Sequence, residues 1–183
     1  MNISANLFVI SAPSGAGKTT LVKKLISRNK QLKYSVSYTT RTPRKNEIDG
    51  HDYFFVSIDE FNHLKNQKAF IEHANVFGNL YATSEEQVKN ILKDNHHVIL
   101  EIDWQGAQQV RKSMPQCISI FILPPSQEVL NKRLVNRATD TKEIIARRLN
   151  EALDDMSHWN EFDYCIINDD LDIAADELEA IFL

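Results

Sequence analysis

A glycine-rich stretch near the N-terminus, Ser11-Ala-Pro-Ser-Gly-Ala-Gly17-Lys18-Thr19, has residue types that could bind phosphate groups. It follows an apolar run and precedes a predicted helix from Lys18 to Arg28. Glycines let successive backbone N–H groups turn toward phosphate oxygens, and the helix N-terminus adds a partial positive charge. Lys18 would neutralise the β- and γ-phosphates, and the Thr19 hydroxyl would coordinate Mg²⁺. The pattern predicts a P-loop that binds MgATP, and the alternative is a plain strand-to-helix turn with a capping serine.

Two of the five glycines in the chain fall in this loop, which indicates a backbone with special conformational demands. The strict P-loop pattern has glycine where this chain has Ala12. The residues of the loop predicted to bind ATP are Ala12, Pro13, Ser14, Gly15, Ala16, Gly17, Lys18, Thr19 and Thr20.

A second set of phosphate-binding candidates lies in Ser37-Tyr-Thr-Thr-Arg41-Thr-Pro-Arg44. Two arginines beside several hydroxyls can hold a second phosphate through paired hydrogen bonds. Surface loops often carry two arginines, so an ordinary exposed loop is the alternative. Tyr53 and Tyr81 could donate to the same phosphate, although aromatic residues in such runs more often belong to the core.

Three carboxylates adjoin apolar runs. Glu72 lies between Ile71 and His73 in a strand-like segment, where it could accept two parallel hydrogen bonds from one edge of a base. Alternation along the strand favours a solvent-facing position instead. Glu101 and Asp103 end the run that begins at Val98, and ligands bind outside the carboxyl ends of strands in open α/β sheets. They suit Mg²⁺, its waters or ligand donors, unless Asp103 only caps the next helix.

The segment 133–148 is rich in arginine around a polar centre, Thr139-Asp-Thr-Lys. Such arginines can stabilise charge on a transferring phosphoryl group when a mobile cap closes. The alternative is salt bridging on a helix surface, for instance between Arg148 and Glu151. The arginines of this segment are Arg133, Arg137, Arg147 and Arg148.

Short apolar runs alternate with helical patterns along most of the chain, which predicts an α/β fold with a central parallel sheet flanked by helices. Helices are expected from Lys18, near Trp104, after Ser126 and from Leu171. The segment between Tyr34 and Ala82 breaks this rhythm with short strand-like runs around one helix, and the runs are Tyr34 to Thr40, Tyr53 to Val56 and Ala69 to Phe77. The helix is predicted to begin at the capping box Ser57-Ile-Asp-Glu60. We interpret that segment as a small lobe inserted into the core.

Chain length, net charge and composition limit the domain organisation and the kinds of ligand that the chain could bind. A chain of 183 residues is long enough for one well-buried domain, and its net charge of -4 argues against non-specific nucleic-acid binding. We expect no membrane segment and a cytoplasmic location. Cys117 and Cys165 lie in apolar stretches and are expected to be buried, reduced thiols, whereas His96 and His97 are expected at the surface.

Taken together, these motifs resemble guanylate kinase, in particular the bacterial form, over nearly the whole chain. The resemblance rests on the following segments in family order: Ser11 to Thr19, Ser37 to Arg44, Gly50-His-Asp-Tyr53-Phe-Phe-Val, Phe70-Ile-Glu72, Glu101-Ile-Asp103-Trp-Gln-Gly106-Ala and Ile167-Asn168-Asp-Asp170. It implies the P-loop nucleoside-monophosphate-kinase fold and transfer of the γ-phosphoryl group of MgATP to GMP, and to dGMP as well. It further implies a core of residues 1–33, 84–132 and 149–183, a GMP-binding lobe of residues 34–83 and an arginine-rich lid of residues 133–148.

The resemblance also implies residue roles. Ser37, Arg41, Arg44, Tyr53 and Tyr81 correspond to the grip on the GMP phosphate. Glu72, Thr83 and Asp103 correspond to the groups that read guanine, and Glu101 lies where the family has an acid near Mg²⁺ and its waters. Arg133, Arg137 and Arg148 resemble lid arginines that reach the ATP phosphates, and Asn168 corresponds to a residue beside adenine. Catalysis would fall to Lys18, Arg41, Arg137 and Arg148.

Three positions differ from the family pattern: Leu80 and Ala82 replace the usual Tyr and Gly around Tyr81, and Ala138 replaces a Gly. Two alternatives stay open. One is a related P-loop kinase acting on ribose 1,5-bisphosphate, which the three guanine-reading residues disfavour. The other is a catalytically silent protein-binding module, which the intact Gly15, Gly17, Lys18 and Thr19 disfavour.

Overall fold

The computed structural model describes residues 5–76, 78–135 and 142–182, and within 142–147 it describes the backbone only. The strands are β1 Leu7–Ser11, β2 Leu32–Tyr34, β3 Tyr38–Thr39, β4 Phe54–Phe55, β5 Phe70–Val76, β6 Asn79–Ser84, β7 His97–Glu101, β8 Ile118–Leu123 and β9 Tyr164–Ile167. The helices are α1 Lys18–Arg28, α2 Ile58–Asn66, α3 Glu85–Lys93, α4 Trp104–Ser113, α5 Gln127–Val135, α6 Lys142–Ser157 and α7 Leu171–Ile181, with a 3₁₀ turn at Trp159–Glu161.

The larger sheet has five strands in the order β2-β7-β1-β8-β9. Its outer pairs, β2 with β7 and β8 with β9, are parallel. The first strand is buried along its whole length, as expected for a parallel strand covered on both faces. This sheet and its flanking helices confirm the predicted α/β class.

A smaller sheet of four strands has the order β4-β3-β6-β5. β5 and β6 form an antiparallel hairpin, and the register between them shifts between Phe70 and Glu72. The predicted strand Tyr34 to Thr40 is two strands, because β2 pairs in the larger sheet and β3 pairs in the smaller one.

Local capping explains where three helices begin. The Ser57 hydroxyl accepts from the Glu60 N–H, as the predicted capping motif requires, and the Ser84 hydroxyl accepts from the Gln87 N–H. The Asp170 carboxylate accepts from Asp172 and Ile173. Each cap satisfies backbone donors that the first turn of a helix leaves unpaired.

The described residues fall into two compact units, and each is considered separately below. The first comprises residues 5–8, 31–76, 78–100 and 105–117, and the second comprises residues 9–30, 101–104, 118–135 and 142–182. The division into core, GMP-binding lobe and lid stays a prediction. Among the described residues, no helix combines the length and the apolar character needed to cross a bilayer.

Two predictions about burial are wrong. Cys165 is exposed, because β9 is an edge strand and buries only Ile166 of its four residues, while Cys117 is buried as expected. His97 is buried, with 9% of its surface exposed, because it begins β7 and accepts a hydrogen bond at Nδ1 from the Asn6 N–H. Burial lowers the pKa of His97, which favours the neutral ring that can accept this bond.

Candidate functional site

The phosphate-binding candidate in the second unit is the turn between β1 and α1. Gly15 and Gly17 both have φ of 92°, in the left-handed region that favours glycine. Gly17 is the N-cap of α1, and the Ala16 N–H donates to the Pro13 carbonyl at 3.2 Å. Ala12 does not have a positive φ, so its backbone has no need of the glycine found there in the strict pattern.

The two glycines also lie where the chain has no room for a side chain. A Cβ on Gly17 would lie 2.4 Å from Asn168 Nδ2, and one on Gly15 would lie 3.0 Å from Leu130 Cδ1. Leu130 belongs to the α5–α6 core, where it packs with Leu134 and Ala152. Asn168 and the α5 residue Leu130 therefore pack closely against the loop and leave no room for a larger residue at either glycine.

Lys18 and Thr19 form hydrogen bonds to the last residue of β7 and to the residue that follows it. The Lys18 ammonium donates to the Ile102 carbonyl at 3.0 Å, and the Thr19 hydroxyl donates to the Glu101 carboxylate. Thr19 is exposed and Glu101 is half-buried. A hydroxyl and a carboxylate side by side are hard oxygen donors of the kind that Mg²⁺ binds together with water and substrate phosphates.

Asn168 and Arg133 bind the main chain of the phosphate loop. Asn168 is buried, and its Nδ2 donates to the Ala16 carbonyl at 2.6 Å. Arg133 donates to the Asn168 carbonyl at 3.1 Å and to the Ala16 carbonyl at 3.5 Å. Both residues thus support the loop, in addition to any contact they make with a nucleotide.

Asp103 lies in an acidic environment in the second unit. Burial, together with the charge of Asp103, raises the pKa of Asp155 on α6 to about 6. The charge of Lys18 acts in the opposite direction and favours the ionised form of Asp155. Trp104, next to Asp103 in the chain, stacks on His158 with ring centroids 3.5 Å apart.

The acceptor-phosphate candidates lie in the first unit around Arg41. Its guanidinium forms two hydrogen bonds to Glu47, at 2.7 and 2.9 Å, and lies over the Tyr53 ring at 5.4 Å. The bond to Glu47, and to a smaller extent one to Tyr81, raises the pKa of Arg41. Because Arg41 also lowers the pKa of Glu47, the pair is ionised and fixed in one orientation.

The other members of this group differ in exposure. The rings of Tyr53 and Tyr81 meet edge to face at 5.9 Å, and Ser37 is buried with its carbonyl accepting from the Phe54 N–H. The Arg44 side chain is 75% exposed, so it can move toward a ligand. The structure brings Arg41, Tyr53 and Tyr81 together, and their binding of one phosphate stays a prediction.

Glu72 and Thr83 form a buried pair in the same unit. They are partners in the β5–β6 register, and the Thr83 hydroxyl donates to the Glu72 carboxylate at 2.6 Å. Only 3% of the Glu72 surface is exposed, so the solvent-facing alternative is wrong for this residue. A buried carboxylate is costly without donors, and it is therefore a strong binding group for a ligand that brings N–H groups.

Arg148 is half-buried on α6, while Arg137 and the side chain of Arg147 lie outside the described residues. Three further residues were missed from sequence: Glu47, Asp155 and Gln109 of α4. Only Glu47 had a local signal, since it follows Arg44 by three residues in the turn where its carboxylate accepts from the Arg44 N–H.

The α/β sheet, the glycine turn, Lys18 and the paired Thr19 and Glu101 define a P-loop kinase. A family model described as guanylate kinase matches residues 4–183. The guanylate kinase of Pseudomonas fluorescens (strain Pf0-1) is 52% identical over 179 residues, 98% of this chain and 87% of that protein. The guanylate kinase of Alkalilimnicola ehrlichii is 53% identical over 176 residues, 96% of this chain and 87% of that protein.

The crystal structure of guanylate kinase from Anaplasma phagocytophilum is also similar, with a TM-score of 0.82 and 35% identity. That match covers 98% of this chain and 85% of the other. The chain belongs to the guanylate kinase family, which confirms the family and the enzyme class predicted from sequence.

Proposed function

We propose that the chain transfers the γ-phosphoryl group of ATP to GMP, forming ADP and GDP. A phosphate oxygen of GMP bonds to the γ-phosphorus, and the bond from that phosphorus to the β–γ bridging oxygen breaks. The observation that carries the choice of acceptor is the buried Glu72 carboxylate held by Thr83. We include dGMP as an acceptor because none of the proposed contacts involves the ribose 2′-hydroxyl.

On the donor side, the backbone N–H groups of the loop cradle the phosphates, and the α1 N-terminus adds a favourable dipole. Lys18 moves from the Ile102 carbonyl to the β- and γ-phosphates, where its charge stabilises the leaving group. Asn168 and Arg133 keep the loop in shape through the Ala16 carbonyl. The ATP-binding residues are Ala12, Pro13, Ser14, Gly15, Ala16, Gly17, Lys18, Thr19, Thr20, Arg133, Arg137 and Asn168.

Thr19 and Glu101 would hold Mg²⁺, the hydroxyl directly and the carboxylate through water. The close contact of these two oxygens supports the assignment. When bound, the metal neutralises charge on the β- and γ-phosphate oxygens. The enzyme's own contribution is to place two hard donors beside the phosphate loop.

On the acceptor side, Arg41 binds the GMP phosphate and Glu47 keeps its guanidinium oriented. Tyr53, whose ring lies under the Arg41 guanidinium, and Tyr81, which bonds to Arg41, contribute phenolic donors, and Ser37 and the exposed Arg44 complete the site. A pre-oriented guanidinium loses little conformational entropy on binding, so it can bind a phosphate oxygen strongly. Arg137 and Arg148 reach the transferring group when both substrates are bound.

Guanine is read by Glu72, Thr83 and Asp103. A carboxylate has about four acceptor positions, so Glu72 can accept from guanine N1–H and N2–H₂ while the Thr83 bond persists. Adenine presents an acceptor at N1 and lacks the N2 amino group, which would leave a buried charge facing an acceptor. A site of this kind discriminates by about 10⁴ or more. ATP and GMP are small-molecule partners, and a cytoplasmic location stays a prediction.

Glu72→Ala tests the guanine assignment. Two charge-assisted hydrogen bonds of roughly 1.5–3 kcal/mol each are lost, so kcat/KM for GMP should fall by on the order of 10²–10⁴. The KM for ATP should stay within about twofold, because the loss is confined to the acceptor. The preference for GMP over AMP should narrow, since the charge that rejects adenine is gone.

The matched control is Asn75→Ala, which truncates an exposed residue on the same strand. Its kinetics should equal those of the unmodified enzyme. An unchanged ratio of GMP to AMP activity in Glu72→Ala would show that Glu72 does not read the base.

A further inference from the structure

Strand β5, which carries Glu72, is the last strand of the smaller sheet. One side of it pairs with β6, and among the described residues no strand pairs with the other side. Backbone groups on an edge strand normally bond to water or to a covering element. In this chain the covering element is helix α4.

Gln109 of α4 forms two hydrogen bonds to the backbone of His73. Its Nε2 donates to the His73 carbonyl at 2.7 Å, and its Oε1 accepts from the His73 N–H at 3.1 Å. These are the two bonds that a neighbouring antiparallel strand would form with one residue. The side-chain amide therefore replaces a strand at a single position of the edge.

That position is next to Glu72, and the strand is irregular there. The register between β5 and β6 shifts between Phe70 and Glu72, so Ile71 has no partner in the ladder. A bulge of this kind bends the strand and weakens the local pairing. On the side of β5 that faces away from β6, the Gln109 amide restrains His73, the residue that follows Glu72.

We propose that Gln109 is a positioning residue for guanine recognition, because its two bonds to His73 determine where the Glu72 carboxylate lies. The inference rests on the proposed role of Glu72. Consecutive strand residues share a rigid peptide unit, so fixing both backbone groups of His73 fixes the adjoining end of Glu72. A small displacement is sufficient to matter, since a misplacement of about 1 Å can reduce turnover by on the order of 10²-fold.

The test compares Gln109→Met with the unmodified enzyme. Methionine has a similar length and a high helix propensity, but it cannot form either bond to His73. We expect kcat/KM for GMP to fall by on the order of 10-fold, with the KM for ATP within about twofold. The preference for GMP over AMP should narrow, and the His73 amide should exchange its hydrogen faster.

Lys112→Ala is the control, because it truncates an exposed side chain on the same helix and should leave all of these values unchanged. Unchanged GMP and AMP kinetics in Gln109→Met would overturn the proposal, whether or not its melting temperature falls. If that variant does not fold, Gln109→Glu, which still accepts from the His73 N–H, is measured in its place and judged by the same ratio.

Combining the substitution with Glu72→Ala separates this inference from the proposed function. If Gln109 acts through Glu72, Glu72→Ala/Gln109→Met should discriminate between GMP and AMP no less well than Glu72→Ala alone. A GMP/AMP ratio that is unchanged in Glu72→Ala would defeat the guanine assignment itself. A ratio that changes in Glu72→Ala but not in Gln109→Met would overturn only the role of Gln109.

Discussion

Asp155 is a residue whose protonation the structure perturbs. Burial and the nearby Asp103 raise its pKa to about 6, above the ordinary value of 3.8. A carboxyl with a raised pKa contributes stability below its unfolded pKa, and that stability is lost as the pH rises through the folded pKa. The relevant window therefore extends from about pH 4 to pH 6.

Asp155→Asn should raise the melting temperature at pH 7.5, because it removes a partly buried charge that folding penalises. The gain is roughly 1–2 kcal/mol, reduced from the full linkage value because the carboxyl is partly exposed. It should shrink as the pH falls toward 4, where the native carboxyl is protonated. Thermal unfolding of the Asp155→Asn protein and the unmodified enzyme between pH 4 and pH 7.5 measures this gain in stability.

Glu177→Gln is the matched control, since it removes one carboxylate charge from an exposed position on α7 that does not act on Asp155. Its melting temperature should change little, and the change should not depend on pH in the same window. An equal gain for Asp155→Asn at pH 4 and pH 7.5 would contradict the assignment of the raised pKa.

The residues predictable from sequence are those whose role depends on local spacing. Lys18 and Thr19 follow the glycines directly, so their position at the phosphate loop follows from the motif alone. The burial of Glu72 was not predictable, because alternation separates two faces of a strand without telling which face is covered. Gln109 and Asp155 act through segments distant in the chain, and no local pattern marks them.

At the scale of elements, the turn between β1 and α1 depends on Gly17 for two separate reasons. Its φ of 92° is unfavourable for other residues, and a Cβ would lie 2.4 Å from Asn168 Nδ2. Gly17→Ala should therefore cost about 1–3 kcal/mol of stability and lower kcat/KM for ATP at least about tenfold. Thermal unfolding and steady-state kinetics measure the two effects.

Gly78→Ala separates the two causes. Gly78 also has a positive φ, of 80°, but a Cβ there meets nothing within 4 Å. Its cost should be the backbone strain alone, about 1–2 kcal/mol, with unchanged kinetics. The Gly17→Ala/Asn168→Ala protein should lose less stability than the sum of its single substitutions, because the clash is relieved. If the two stability losses were strictly additive, the surrounding structure would relieve the clash without removal of the Asn168 side chain.

Element boundaries were predictable where capping chemistry marks them. Ser57 caps α2, which begins at Ile58, and Asp170 caps α7, which begins at the predicted residue Leu171. Helix α1 also begins at the predicted residue Lys18, although its N-cap, Gly17, makes no side-chain hydrogen bond. The split of the predicted Tyr34 to Thr40 strand was not predictable, since both parts have similar composition. They differ in their pairing partners, which tertiary structure alone decides.

At the scale of the whole molecule, binding of GMP should stabilise the folded chain. A ligand at a hundred times its Kd adds about 2.7 kcal/mol, and each kcal/mol raises the melting temperature of a chain this size by about 2–4 °C. We therefore expect a rise of about 5–10 °C with GMP and a much smaller one with AMP at the same concentration. Thermal unfolding with each nucleotide measures the difference.

Glu72→Ala provides the control for this measurement. In this variant GMP should raise the melting temperature much less than in the unmodified enzyme, whereas ATP should raise it as before, because only the acceptor site has changed. Equal rises with GMP and AMP in the unmodified enzyme would contradict selection of the base during binding.

The contrasting environments of the two cysteines make the chain suitable for chemical labelling. Cys165 is exposed, so a thiol reagent should modify it in the native protein, although desolvation raises its pKa and favours mildly alkaline conditions. Cys117 is buried and should react only when the core around it opens. A single time course should thus show one fast thiol and one slow thiol. The rate of the slow thiol reports how often the interior becomes accessible to the reagent.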